Sequence, residues 1–300
     1  MDISTPVSVI PSAPVARERG QWRLALERFL EHRLAVTSAL VLLVLTLAAA
    51  LAPLLSPFDP ESTDLLQRFE SPSSAHIMGT DSVGRDLLTR ILYGGRVSLA
   101  IGVLATITAI AIGTTIGGIA GYYGRWADGV LMRFVDAVRS IPRLFLLILF
   151  AVFFGGKVIT VILVLGALSW TTTARLVRAM FLSLKERDFV LAARAVGARD
   201  RDIMVRHILP NAIAPVIVAA TLGVAATIIA ESTLSFLGLG VQPPVPTWGN
   251  MLKDATTDMG KAPWIAIFPG VAIFLAVVAI NFIGDGLRDA FDPRHVSKRA

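Results

Sequence analysis

Hydrophobic residues in this chain come in long blocks, and charge is confined largely to the gaps between them. A helix needs roughly 20 apolar residues to cross the hydrocarbon core of a bilayer, so blocks of this length predict membrane spans. Leu34–Leu55 carries no charge, and Val97–Gly121 qualifies with glycines of the kind that let membrane helices pack closely. Leu144–Ala174 is apolar apart from Lys157 and has Gly155-Gly156-Lys157 at its middle, which predicts two helices joined by a tight turn. Ile213–Ala230 and Pro263–Gly284 complete a set of six. Ser232–Leu252 is also uncharged, but Gly238, Gly240, Pro243, Pro244 and Pro246 would break a helix facing lipid. It is predicted as an ordered loop or short re-entrant element packed within protein.

The polar gaps set the orientation. With the N-terminus inside, segments 1–33, 122–143, 175–210 and 285–300 hold 21 Lys and Arg, whereas 56–96, 155–157 and 232–262 hold 7. That asymmetry predicts both termini in the cytoplasm. The expected organisation is a cytoplasmic tail 1–33 (residues 1–16 irregular), a retained first span 34–55, an extracytoplasmic loop 56–96, a core 97–284 and a cytoplasmic tail 285–300. The core has five further spans, a cytoplasmic insert 175–210 and an outer loop 232–262. In the 56–96 loop, Gly79 and Gly84 predict tight turns, Thr80 and Asp81 are candidate caps for the helix leading into the second span, and Arg85 and Asp86 close the polar run.

The insert 175–210 carries eight basic residues. Asp188–Val196 is rich in helix formers and ends at Gly197, a natural C′ residue. A second helix, Arg201–Leu209 with Asp200 as N-cap, then leads to Pro210, which is expected to stop or bend the chain. Ala192, Ala193 and Ala195 allow a partner backbone to come close, and Phe189 and Val196 can anchor in an apolar groove, with Arg194 beside them. These features favour a docking helix over a basic loop held on anionic lipid headgroups.

Composition narrows the chemistry. A hydrophobic share of 54%, a charged share of 17% and a mean hydropathy of +0.68 describe a multispanning membrane protein, and the basic balance reads as topology, not as nucleic-acid binding. With no cysteine there are no disulfides or thiolate metal sites. There is no G-x-x-x-x-G-K-[ST] loop and no H-E-x-x-H, and His32, His76, His207 and His295 are scattered. No span pairs a nucleophile with a base, so a membrane enzyme is disfavoured. No carboxylate lies at the middle of a predicted span, which weighs against an ion-coupled secondary transporter or channel, the main rival reading. Glu231 ends the fifth span; it is read either as an interface residue that pairs with the following loop or as a gate or pore-lining group.

Two motifs carry a resemblance. Ala192-Ala193, Gly197 and Leu209-Pro210 resemble the E-A-A-x-x-x-G-x9-I-x-L-P coupling loop of ABC importer permeases, with Leu191 in place of its Glu and His207 in place of its Ile. The run Glu231-Ser232-Thr233-Leu234-Ser235-Phe236-Leu237-Gly238-Leu239-Gly240-Val241-Gln242-Pro243-Pro244, followed by Pro246 and Trp248-Gly249, is similar to the signature of the dipeptide/oligopeptide/nickel permease family, as is Gly79-Thr80-Asp81-x-x-Gly84-Arg85-Asp86. The resemblance implies an all-α, type I ABC importer permease with a cytoplasmic coupling helix, in the bacterial cytoplasmic membrane. It implies the second of two homologous permeases, working with two ATPase subunits and an extracytoplasmic binding protein. ATP and magnesium would sit on the ATPases, with no cofactor on this chain. Dipeptides, longer peptides, nickel chelates and glutathione all fit as cargo. In that reading 189–197 couples to the ATPase, and Glu231, Ser232, Phe236, Gly238, Gly240, Pro243, Pro244 and Trp248 close the outer mouth.

Overall fold

The computed structural model describes residues 21–292, so the expectations for 1–16 and for the end of the C-terminal tail lie outside the described residues. Among the described residues the protein is helical, apart from an isolated bridge between Thr80 and Asp86. Its helices are α1 (Gln21–Glu31), α2 (Arg33–Ala50), α3 (Ala52–Leu55), α4 (Leu87–Tyr123), α5 (Arg125–Ser140), α6 (Arg143–Phe154), α7 (Val158–Leu184), α8 (Asp188–Ala195), α9 (Asp200–Asp202), α10 (Leu209–Phe236), α11 (Trp248–Ala255) and α12 (Trp264–Phe291). Five of them, α2, α4, α7, the run from α9 through α10, and α12, are long and apolar enough to cross a membrane. The sixth candidate is the pair α5 and α6, bent by 82° at Ile141-Pro142. Residues 56–86, 155–157 and 237–263 gather on one side of the bundle; α5, α8 and the ends of α1 and α12 lie toward the other.

α4 and α7 form the central pair. Gly113, Gly117 and Gly121 recur every four residues on α4, and α7 lies against that stripe. A Cβ at Gly113 would fall 2.7 Å from the Trp170 carbonyl, and one at Gly121 would fall 2.6 Å from the Phe181 Cβ. Close backbone approach of this kind supplies dispersion contact where lipid removes the usual hydrophobic drive. Trp248 sits 2% exposed in a core built with Ala49, Leu99, Ile228 and Ala276, which ties the segment after α10 to α2, α4, α10 and α12.

Several element boundaries differ from the sequence reading. α4 begins at Leu87, ten residues before Val97, and takes in Arg90 and Arg96 ahead of the apolar run. Arg90, only 3% exposed, faces Asp81 at 3.7 Å and Asp254 at 3.9 Å. Its cap is Asp86 and not Thr80 or Asp81; the Asp86 carboxylate accepts from Thr89 N at 2.8 Å. Pro210 neither stops nor bends the chain, since it lies in the first turn of α10, where its missing N–H costs nothing. A π-helical stretch, Ile203–Ile208, precedes it, and Leu209 N reaches back five residues to the Met204 carbonyl. Arg199 is the N-cap of α9, and Asp200 is its first residue. α10 continues to Phe236, so Glu231, Ser232 and Phe236 belong to its last turns and not to a loop. α12 runs to Phe291, past Gly284. Segment 122–143 is largely the amphipathic helix α5, and α6, at 12 residues or about 18 Å, reaches only part of the way across a bilayer.

Candidate functional site

Three constellations carry the residues singled out in the sequence, and the bundle keeps them apart. On the side of residues 56–86, the loop is a hydrogen-bonded knot. Gly79 and Gly84 have φ of +77° and +79°, which only glycine adopts at no cost, and a Cβ at Gly84 would collide with the Asp64 carbonyl. Asp81 Oδ1 accepts from Val83 N at 2.9 Å and Arg85 N at 3.0 Å, and its Oδ2 accepts from Arg85 Nε at 2.6 Å. Arg85 then reaches Asp254 of α11 at 3.4 Å. Asp86 does two jobs: Oδ2 caps α4, and Oδ1 lies 2.9 Å from Nδ1 of the buried His76. The other ring nitrogen of His76 is 3.0 Å from Gln67 Oε1, and the ring stacks on Phe58. Sequence reasoning missed His76, Thr89 and Asp254; Asp254 is 169 residues from Arg85, while His76 and Thr89 meet Asp86 within ten residues but through a turn that no regular helix or strand pattern marks.

The second constellation closes the same side above α10. Glu231 is fully buried; Oε1 accepts from Ser235 Oγ at 2.7 Å, and Oε2 accepts from Ser98 Oγ at 3.3 Å and Ser232 Oγ at 3.5 Å. The serines relay the carboxyl to the following segment: Ser98 Oγ accepts from Trp248 N at 3.2 Å, and Ser235 Oγ accepts from Val241 N at 3.3 Å. Gly240 packs on Ser235 so tightly that any Cβ would clash, and Gly238 has φ of +79°. Gln242 N donates to the Gly156 carbonyl at 3.1 Å, which fastens the turn between α6 and α7 to this loop. α11 starts with a reciprocal capping box between Thr247 and Asn250, and Trp248 Nε1 donates to the Ile91 carbonyl at 3.0 Å. Phe236, Pro243 and Pro244 are exposed, so they form the outer surface of this cap and not its core.

On the opposite side, α8 stands out from the bundle. Val190 is fully buried in a core with Tyr122 (α4), Val177 and Phe181 (α7), Ile203 and Ile208, and Val216 (α10). The remaining surface is open: Val196 is 86% exposed, Leu191 46% and Phe189 40%, and Ala192, Arg194 and Gly197 are exposed with them. Ala193 is half-buried and packs against the core. Gly197 (φ +81°) ends the helix, with its N–H donating to the Arg194 carbonyl at 3.0 Å and that of Ala198 to the Ala193 carbonyl at 3.1 Å. Tyr122 Oη donates to Asp200 Oδ1 at 2.6 Å and pins the next helix to α4. Leu209 touches the same core, whereas Pro210 is exposed. Of the motif residues, only Ala193 and Leu209 face inward; the rest present a surface.

Among the described residues no three His, Asp or Glu side chains converge in a way that could hold a metal ion. The chemistry available is mechanical: a rigid cap on one side, a protruding helix on the other, and long helices joining them.

Comparison with known proteins fits that division. Residues 113–296 match the family described as binding-protein-dependent transport system inner membrane component, and residues 20–72 match the N-terminal TM domain of oligopeptide transport permease C. The chain is 43% identical to the glutathione transport system permease protein GsiD of Pectobacterium atrosepticum, covering 96% of this chain and 97% of that one. It is 41% identical to the dipeptide transport system permease protein DppC of Alkalihalophilus pseudofirmus, over 91% and 90%, and 43% identical to the oligopeptide transport system permease protein OppC of Escherichia coli, over 92% of each. Its fold is similar to a chain in a structure of inward-facing conformations of the MetNI methionine ABC transporter. That match has a TM-score of 0.52 and 19% identity, and covers 67% of this chain and 96% of the other. Family match, near full-length relatives and shared fold agree: the chain belongs to the inner membrane permease family of binding-protein-dependent ABC transport systems.

Proposed function

We propose that this chain is one of two pore subunits of an ATP-driven importer of peptides, and that α8 seats in a groove of a partner ATPase. The observation that carries the reading is the two-sided character of α8. Val190 locks it to α4, α7 and α10, while Phe189, Leu191 and Val196 offer an apolar face that is exposed among the described residues. A helix held in this way transmits a push on its exposed face to the long helices instead of absorbing it. Leu191, standing where the family motif has Glu, extends the apolar face and suits a hydrophobic groove.

In this reading the α8 side is cytoplasmic with both termini, and ATP and magnesium are bound by the ATPases. A homologous permease completes the pore, and a binding protein delivers cargo to the opposite side. The names of the relatives support dipeptides, longer peptides or glutathione as the cargo class. The test is Gly197→Trp in the complete transporter. No atom of the described residues lies within 4 Å of a Cβ there, but the φ of +81° strains any side chain by about 1 kcal/mol, so Gly197→Ala, which has the strain without the bulk, is the control. The expected outcome is an assembled complex whose ATP hydrolysis no longer drives uptake; unchanged uptake together with unchanged assembly refutes the coupling role.

A further inference from the structure

A ladder of arginines runs along the contact of α5 and the start of α6 with α7. Arg178 forks onto Asp128, and Arg175 pairs with Asp136. The next two rungs have no acid. Arg139 Nη1 donates to Thr172 Oγ1 at 3.5 Å, and Arg143 Nη2 donates to Ser169 Oγ at 2.7 Å. Ser169 in turn donates to the Leu165 carbonyl at 2.5 Å, so its oxygen is committed to accepting from Arg143. Among the described residues neither Arg139 nor Arg143 has a carboxylate at ion-pairing distance. A guanidinium has five N–H donors, and each of these two uses one. Both side chains are exposed and line a cavity of about 250 Å³ with Pro142, Ser169, Thr171 and Thr172.

Their depth matters. On α7, Ser169 lies eleven residues from the first helical residue, Val158, and Thr172 lies fourteen, or about 16 and 21 Å at 1.5 Å per residue. Lys157 and Arg175, the charges that bound the apolar stretch of α7, are 18 residues apart, or about 27 Å, close to the thickness of a hydrocarbon core. Arg143, level with Ser169, therefore lies about 9 Å inside the α8-side end of that stretch, and Arg139, level with Thr172, lies close to that end. The hydroxyl bonds hold them there and keep them from snorkelling to the interface. Exposed guanidinium at that depth is costly against lipid and is found facing a water-filled path or a polar partner. The short α6 leaves room beside it for a second permease to close such a path.

We propose that Arg139 and Arg143 form an anion-binding step on the wall of the translocation pathway, and that the anion is the terminal carboxylate of a peptide in transit. This rests on the peptide-importer reading above. The planar fork of arginine matches a carboxylate, and with no resident counter-ion to displace, the bonds it makes are charge-assisted. Every linear peptide with a free C-terminus carries that group whatever its side chains, so the site tolerates varied cargo. Its openness keeps retention short, as a conducting path requires.

The test uses the complete importer in proteoliposomes, with saturating loaded binding protein, and one peptide supplied with a free C-terminal carboxylate or as its C-terminal amide. The R139Q/R143Q double variant is expected to slow the carboxylate form about tenfold or more and leave the amide at its wild-type rate, with R143K intermediate. Equal slowing of both forms with loss of stimulated ATP hydrolysis indicates a structural role and overturns the proposal, as does an unchanged carboxylate rate. Wild type that moves neither peptide defeats the peptide reading itself and is told apart by that control. Since the chain has no cysteine, R143C places a single thiol on it. A charged, membrane-impermeant methanethiosulfonate should modify it, and transported peptide should protect it. Modification only by an apolar reagent would show a lipid-facing side chain and would also overturn the proposal.

Discussion

Removing the Glu231 carboxyl tests whether the cap formed by residues 237–263 is one rigid piece. The side chain is fully buried, and it accepts from serines that themselves hold Trp248 N and Val241 N. Glu231→Ala strips the acceptor from Ser98 and Ser235, about 1 kcal/mol or more for each orphaned hydroxyl. It also leaves a cavity of side-chain size in a packed core; together these come to about 3–5 kcal/mol. For a chain of this size, 3 kcal/mol corresponds to a fall in melting temperature on the order of 6–12 °C. Glu231→Gln keeps the shape and one acceptor, and the serine hydroxyls can turn to receive the new amide, so the expected cost is about 1 kcal/mol. The assay is thermal unfolding of the purified complex alongside hydrogen exchange by mass spectrometry. Exchange should rise across 237–250 in the alanine variant and stay unchanged at α8. An alanine variant that melts within about 1 °C of wild type, with no added exchange in that segment, would refute the latch.

Gly84→Ala is expected to prevent the 56–86 knot from forming, because both the φ of +79° and the Asp64 carbonyl oppose a Cβ; Gly155→Ala has the φ of +75° but open space and should cost only about 1 kcal/mol. Comparing yield and melting temperature of the two separates collision from backbone strain. Asp86→Ala removes the cap of α4 and a partner of buried His76, with an expected loss of about 2–3 kcal/mol, whereas Asp86→Asn can still cap and should recover at least half of that by thermal unfolding. Val190→Ala should loosen α8 by about 1–3 kcal/mol and weaken coupling even though the residue touches no partner, read as a lower ratio of uptake to ATP hydrolysis.

What could be read from the sequence followed how local each signal is. The turn at Gly155–Lys157, the C-terminus of α8 at Gly197 and the refusal to count Ser232–Leu252 as a span all rest on the conformational limits of glycine and proline, which act within a few residues. Helix ends that depend on distant partners were misplaced. The apolar run begins after Arg96, yet α4 starts at Leu87, with Arg90 buried near Asp81 and near Asp254 far along the chain. Segment 122–143 reads as a polar stretch when its charges are counted singly; its Arg139 and Arg143 pair with hydroxyls on α7, thirty-three and twenty-six residues away.

The sequence by itself determined that the chain is a helical membrane protein, where its long apolar helices lie, and where the short helix ending at Gly197 falls, since hydrophobic length and glycine placement are properties of short stretches of chain. Only the tertiary structure decided that Glu231 is a buried tie between α4, α10 and the cap at 237–263, that His76 joins Asp86, and that Arg139 and Arg143 face a cavity with no carboxylate at ion-pairing distance among the described residues. Each of those outcomes depends on which polar groups meet across helices, and burial charges a cost for an unmatched polar atom that no window of sequence can reveal.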